Sequence, residues 1–218
     1  MNEKIDYKFD DGTNVYFTSD THFHHDMIRQ FCNRPFDSME EMDNAMIERW
    51  NNTVPKDGIV FHLGDFAWGG YNVWKNAREQ LNGEIILIKG NHDFKNMTAT
   101  AKELFKDVCP QMRIEIEGRK AWLNHFPLLC YSGTYRDLNG LEYNLFGHVH
   151  LSNHLERNRG LDYQRCVDTL FSTQYDVGVD FNNFAPISWH DVNERIQKQI
   201  NEVKTIKMWI KDESTDNT

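Results

Sequence analysis

Apolar residues along this chain come in short runs that empty into polar clusters. The run NVYFTS (14–19) reads as a strand ending at Asp20, GIVFH (58–62) as a second strand followed by Gly64 and Asp65, and EIILIK (84–89) as a third that runs into Gly90-Asn91-His92-Asp93. Between them Met42, Met46, Ile47 and Trp50 recur at helical spacing behind a capping pair, Ser38 and Glu41, and predict a helix over 39–53. A second helix over 71–82 ends near Gly83. Further on, Met112–Glu117 and Lys120–His125 flank Gly118-Arg119 as a hairpin, and Glu142–Phe146 is a strand leading into Gly147-His148-Val149-His150. YDVGVD (175–180) reads as a last strand, and Ser188 with Asp191 caps a helix over 189–203. Residues 151–172 are polar without a clear period, and KDESTDNT (211–218) is expected to be a disordered tail.

No Gly/Ser-rich or Pro-rich linker and no repeat divides the chain. Strand alternating with helix, then hairpin, then strand predicts one mixed α/β domain over 1–210. A length of 218 residues suits a single core. The formal charge of -9 argues against a protein that coats nucleic acid or an anionic membrane, because both need a positive field. Four cysteines, at 32, 109, 130 and 166, form no close pair, which favours free thiols over a zinc ribbon or redox motif. With no signal-like start and no apolar stretch long enough to span a bilayer, the expectation is a soluble cytoplasmic protein.

The polar clusters change the picture. They hold Asp20 and His22, Asp65, Asn91 with His92 and Asp93, His125, and His148 with His150. A lone histidine after a strand is ordinary structure. Imidazole, carboxylate and amide oxygen repeated at successive strand ends are another matter, since sites in open α/β sheets gather outside the carboxyl ends of strands. Nitrogen and oxygen donors without thiolate suit divalent Mn, Fe, Zn, Co or Ni, and there are more of them than one ion holds, so two ions are expected, Mn first among them. Residues i and i+2 at a strand end, Asp20 with His22 and His148 with His150, are each expected to chelate one ion. Bound divalent ions add positive charge locally, so an acidic protein can still present a positive pocket to an anion.

Taken in order, these motifs resemble those of the calcineurin-like metallophosphoesterases, and SDTHFHH, NRPF and GDFAWGG resemble a compact bacterial and phage group of predicted phosphoesterases. The resemblance covers nearly the whole chain. It implies a four-layer α-β-β-α sandwich of two mixed sheets flanked by helices, with the site at one edge. It implies Asp20, His22 and His150 on a first metal, Asp65 bridging, and Asn91, His125 and His148 on a second. His92 would protonate the leaving oxygen, and its neighbour Asp93 would hold the imidazole and raise its pKa. The chemistry implied is attack of a metal-activated hydroxide on the phosphorus of a small phosphomonoester or phosphodiester, such as a nucleotide or cyclic nucleotide. A nuclease or RNA-end phosphatase is the alternative enzyme, and a non-catalytic scaffold, which would lack ligands, is disfavoured.

Gly64-Asp65 is followed by FAWGG, without the arginine that Ser/Thr protein phosphatases and dinucleoside tetraphosphatases of the family carry. Both activities become unexpected, and substrate contacts must come from loops. His25 can reach a phosphate oxygen or merely fix its loop; Arg34, before Pro35, is a phosphate clamp or a structural ion pair; Tyr131 and Arg136 are candidate pocket walls. His62, His154 and His190 read as structural or surface groups, and Trp50, Trp74 and Trp209 as helix packing.

Overall fold

A computed structural model describes residues 4–133, 142–151 and 168–215, with side chains through residue 203. Among the described residues ten strands form two mixed sheets. The first, in the order β10-β2-β3-β4-β5, contains β2 (Val15–Thr18), β3 (Ile59–His62), β4 (Glu84–Ile88) and β5 (Asp107–Cys109) in parallel, with β10 (Ile187–Ser188) antiparallel to β2. The second, in the order β1-β6-β7-β8-β9, pairs β6 (Gln111–Ile116) and β7 (Arg119–Asn124) as an antiparallel hairpin, as expected, but it turns at Glu117-Gly118, one residue before the expected Gly118-Arg119. Its other strands, β1 (Tyr7–Phe9), β8 (Tyr143–Phe146) and β9 (Gln174–Asp176), join in parallel. The two mixed sheets and their flanking helices are the fold expected.

The alternation along each strand sorts the side chains. Phe17, Phe61, Ile86 and Ile88 of the first sheet pack with Ile114, Leu123, Tyr143 and Leu145 of the second to make the inter-sheet core. Helix α5 (Trp189–Thr215) adds Trp189, Val192, Ile196 and Ile200 to it and packs against β10, β2 and β9. The opposite face of the first sheet, with Val60, Ile85 and Leu87, is covered by α1 (Asp26–Phe31), α2 (Met39–Thr53) and α3 (Tyr71–Glu79), which contribute Ile28, Met42, Met46, Trp50, Trp74 and Ala77. Trp50 and Trp74 are fully buried, as expected of helix packing, and each removes about 150–250 Å² from water. At about 25 cal/mol per Å² that is at most about 4–6 kcal/mol apiece.

Helix α2 starts where its cap predicts, because Ser38 Oγ accepts from Glu41 N at 3.0 Å; Glu41 Oε2 returns a bond to Asp37 N at 2.7 Å. Helix α3 stops at Glu79, short of the expected 82, since the Asn51 side chain captures Asn82 N at 2.8 Å. Strand β9, expected over 175–180, ends at Asp176, where the Asp176 carboxylate turns forward to accept from Gly178 N at 2.7 Å; β10 follows it. Helix α5 runs to Thr215, beyond the expected 203 and into the segment expected as a tail; no Gly or Pro interrupts it. Residues 216–218 lie outside the described residues. No helix among the described residues is long and apolar enough to cross a membrane.

Register then aligns the polar clusters. Thr18 pairs with His62 and His62 with Leu87, so Asp20, Asp65 and Asn91 emerge from one edge of the first sheet. Leu123 pairs with Leu145, which brings His125 and the 147–150 loop to one edge of the second. A parallel bridge between Ser19 and Gly178 ties the two edges together.

Candidate metal centre

Past the strand ends the backbone keeps pairing while it kinks. Asp20 N donates to Gly64 O at 2.9 Å, His22 N to Asp65 O at 3.0 Å and Phe23 N to Phe66 O at 3.0 Å. Along this path Asp20 (φ 57°), His22 (φ 49°) and Asp65 (φ 58°) are left-handed, and so are His148 (φ 69°) and His150 (φ 47°). Asp and His tolerate that region better than most residues, but each such residue still costs on the order of 1–3 kcal/mol, a cost that clusters at functional sites. These turns, rather than strand alternation, aim the side chains, which corrects the expectation of i and i+2 chelation. Asp20 and His22 do converge, together with His150. His148 and His150 separate: His148 turns its ring to His125, with centroids 5.1 Å apart, and donates its main-chain N–H to Asp20 Oδ2 at 2.8 Å.

Asp20, His22 and His150 form one group of closely spaced donors, and Asp20, Asp65 and His125 form a second. Asp65 Oδ2 lies between them, 3.6 Å from His22 Nε2 and 3.5 Å from His125 Nε2. Asn91 Oδ1 faces His125 Nε2 at 3.0 Å. Three of the rings are held from behind by Nδ1: His125 on Leu63 O at 2.7 Å, His150 on Asp180 Oδ2 at 2.7 Å, and His22 on His25 Nδ1 at 3.4 Å. Each therefore turns Nε2 inward, the way a metal-ligating histidine is fixed by the partner of its other nitrogen.

The donors fit divalent cations. Asp20 Oδ1 and His22 Nε2 are buried and have no hydrogen-bond partner in the protein, a state that costs about 1–3 kcal/mol per atom if nothing binds them. Burial, then the neighbouring Asp20 and Asp93 carboxylates, push Asp65 up to about 8 in the metal-free chain. Burial, then the charges of His150 and Arg34, hold His22 well below the ordinary imidazole value. For His150, burial opposes the charge, but Asp20 and Asp180 outweigh it and the ring is raised well above that value. Crowded carboxylates and inward imidazoles of this kind are relieved by a cation.

Around this centre the glycines permit close approach. A Cβ on Gly90 would lie 2.7 Å from Asp65 N and collide with Asp65 Oδ1, and one on Gly147 would collide with Asp20 Oδ2.

His92 sits at the rim. Its N–H donates to Asp65 Oδ1 at 2.9 Å, its ring Nε2 is 3.9 Å from Asp65 Oδ2, and about a third of its side chain is exposed. Asp93 does not hold that ring. Its carboxylate accepts Gly90 N at 2.8 Å, Asp65 N at 2.7 Å and Phe66 N at 3.0 Å, stapling the 90–93 turn to the Asp65 turn. The expected support of His92 by Asp93 is therefore overturned, and so is the raised pKa: burial, then Lys95 and His125, lower the His92 imidazole. Asp93 begins the short helix α4 (Asp93–Asn96), and its side chain turns back toward the helix start, away from its neighbour's ring.

Arg34 is the structural ion pair, not the phosphate clamp. Its side chain is fully buried, its fork grips Asp180 with two bonds of 2.9 Å, and it donates to Asp20 O at 2.6 Å and Thr21 O at 3.0 Å. Tyr131 is buried too, its hydroxyl 2.5 Å from Thr173 Oγ1, and it makes no described contact with the centre. Arg136, like His154 and Cys166, lies outside the described residues; so does the Trp209 side chain. His25 belongs to the site: it backs His22 and stacks on Trp68 at 4.4 Å. His62 is structural as expected, bonding Thr21 Oγ1 at 2.9 Å and accepting from Gly64 N at 3.2 Å. His190 is exposed.

Asp180, Asp176 and Trp68 are the residues that motif reading passes over. Asp176 Oδ2 accepts from Leu151 N at 3.0 Å and so anchors the end of the His148–His150 loop. A signal for Asp180 existed, since YDVGVD ends on a carboxylate much as NVYFTS leads directly into Asp20.

A family model described as calcineurin-like phosphoesterase matches residues 13–209. An uncharacterized protein of Methanocaldococcus jannaschii is 36% identical over 84% of this chain and 92% of its own length. The gene 66 protein of Mycobacterium phage L5 is 34% identical over 37% of this chain and 40% of its own. A crystal structure of a protein of unknown function from Aquifex aeolicus superposes with a TM-score of 0.60 at 24% identity, covering 83% of this chain and 97% of that one, a likeness of fold.

Proposed function

The chain belongs to the calcineurin-like phosphoesterases, metal-dependent hydrolases of phosphoric esters, and from that premise we propose that it uses two divalent ions to hydrolyse a small phosphomonoester or phosphodiester. The observation that carries this reading is Asp65 Oδ2 standing between the inward Nε2 atoms of His22 and His125, beside two donor groups that share Asp20. Asp20, His22 and His150 would hold the first ion, Asp65 would bridge, and His125 and Asn91 would hold the second with His148 at its outer edge. The mixed nitrogen and oxygen set suits Mn, Fe, Zn, Ni or Co, with Mn preferred. When bound, such ions supply Lewis acidity toward phosphoryl oxygens and a water nucleophile of lowered pKa.

The chain's own residues do the rest. Arg34 and Asp180 keep His150 and the Asp20–His22 turn in place, and Asp93 fixes the Asp65 turn to the 90–93 turn. His92 Nε2, beside Asp65 and open to solvent, is placed to give a proton to the leaving oxygen. Burial, then Lys95 and His125, lower its imidazole pKa in the metal-free chain, which favours release of a proton to the leaving oxygen. His25, stacked on Trp68 and behind His22, is a candidate contact for a phosphate oxygen.

The test is hydrolysis by protein reconstituted with Mn, Ni, Co or Zn on a panel of small monoesters, diesters, cyclic nucleotides and short RNA. Turnover of a small ester is expected. Cleavage of RNA with no turnover of mononucleotides would move the assignment to a nuclease or RNA-end phosphatase, and turnover of nothing would contradict it.

A further inference from the structure

Of the described tryptophans, Trp50, Trp74 and Trp189 are at most 2% exposed and Trp122 is half-buried, whereas Trp68 is 40% exposed and lies beside His25 and His92 at the mouth of the metal centre. It is no loose side chain. Trp68 N donates to Phe23 O at 2.8 Å, a parallel bridge joins Ala67 to Phe23, and Trp74 Nε1 donates to Gly69 O at 3.1 Å. Between Asp65 and α3 the loop is thus anchored on both sides of the indole.

One face of the indole is covered by the His25 ring, parallel within 10° at 4.4 Å. The His92 ring is 5.1 Å from Trp68 and 6.3 Å from His25. Those three distances make roughly a right angle at Trp68, so His92 lies beside the stack and not against the second indole face. Neither His25 nor His92 covers the other indole face, a flat apolar surface next to the histidine proposed to give a proton to the leaving oxygen. Phe126, 41% exposed, rests its ring on His125 and His148 instead, away from His92. The two rims of the centre are distinct, and Trp68 is on the leaving-group side.

We propose that Trp68 is the specificity-determining residue of the site, its open face receiving the nucleobase of an ester whose leaving alcohol is a nucleoside. This rests on the phosphoesterase reading above and narrows it to base-bearing esters. Small nucleotides are favoured over polynucleotides, because a chain of net charge -9 repels a long polyanion. Stacking on an aromatic face is tolerant of base identity, so the preference is for the presence of a base and not for one base.

The experiment pairs esters that differ only in the base: adenosine 5′-monophosphate with ribose 5-phosphate, and adenosine 2′,3′-cyclic monophosphate with ribose 2,3-cyclic phosphate. For Mn-loaded wild type the base should raise kcat/KM roughly ten- to hundredfold in whichever pair is hydrolysed. Trp68→Ala should bring that ratio near one, Trp68→Phe should retain most of it, and Phe126→Ala should leave the ratio in place. Binding gives a second readout: adenosine 5′-monophosphate should quench tryptophan fluorescence in wild type and not in Trp68→Phe. Equal loss on based and abasic esters in Trp68→Ala, a wild-type ratio of one, or a ratio that follows Phe126 overturns the proposal and leaves the phosphoesterase reading standing. Hydrolysis of no ester by wild type contradicts that reading itself.

Discussion

Replacing Asp180 by Asn would remove one charge from a position no motif marks and should weaken the metal centre without touching a ligand. The Asp180 carboxylate is buried, accepts His150 Nδ1–H at 2.7 Å and takes both arms of the Arg34 fork at 2.9 Å. An asparagine of the same shape can accept one of those bonds well but cannot offset the Arg34 charge. Removing one partner of a buried pair costs about 3–5 kcal/mol. The low end applies, because Arg34 keeps its bonds to Asp20 O and Thr21 O. A loss of about 3 kcal/mol lowers the melting temperature of a domain this size by roughly 6–12 °C. The His150 ring also loses the carboxylate that fixes its orientation, a change that typically costs about 10–100-fold in metal affinity. Calorimetric titration of Mn into the folded variant should show the equivalent held by His150 weakened by that factor, and the other, coupled to it through Asp65, weakened less. Wild-type affinity at both equivalents, or an unchanged melting temperature, would refute the reasoning. Arg34→Lys, which keeps the charge but not the fork, should fall between the two.

Other perturbations follow from the same geometry. Asp65→Asn should lose metal and activity together, seen by metal analysis of the dialysed protein beside an ester assay. His92→Ala should keep both metals and lose about 10²–10⁴-fold in kcat on an ester with a poor leaving group; full activity there would remove His92 from the proton-donor role. Burial pushes the Asp43 carboxyl up to about 6, with Oδ2 on His24 N at 2.9 Å and Oδ1 unpartnered. The unfolded chain gives up that proton near pH 4 and the folded chain near pH 6, so the folded state binds more protons in between. This group therefore lowers stability as pH rises from about 4 to 6, by at most about 3 kcal/mol and less once solvent screening is allowed for. Asp43→Asn should flatten that part of a urea-stability profile against pH, and an unchanged slope would show that Asp43 titrates normally.

Much of the fold is legible because local and global preferences agree. Helix α2 begins at Ser38 both by its cap and by its apolar face, and the hairpin turns at Gly118. The short strands β1, β5 and β10 and helix α1 escape a periodicity reading because two to six residues are too few to show a period. At the site, residue types and strand ends point to Asp20, His22, Asp65, His125 and His150. Aim is less visible: left-handed turns at Asp20, His22, His148 and His150 set the directions, and no residue pattern encodes them. Arg34 illustrates a long gap, since its partner Asp180 lies 146 residues away and only folding brings the two together. Asp93 shows the reverse error, where adjacency in sequence suggests a contact that the start of α4 directs elsewhere.

Anomalous diffraction from Mn-soaked crystals decides whether a dinuclear centre is built on Asp20 and Asp65. Two peaks per chain are expected, one among Asp20, His22 and His150 and one beside Asp65, Asn91 and His125, both lost in Asp65→Asn. A single peak, or peaks away from these residues, would contradict it.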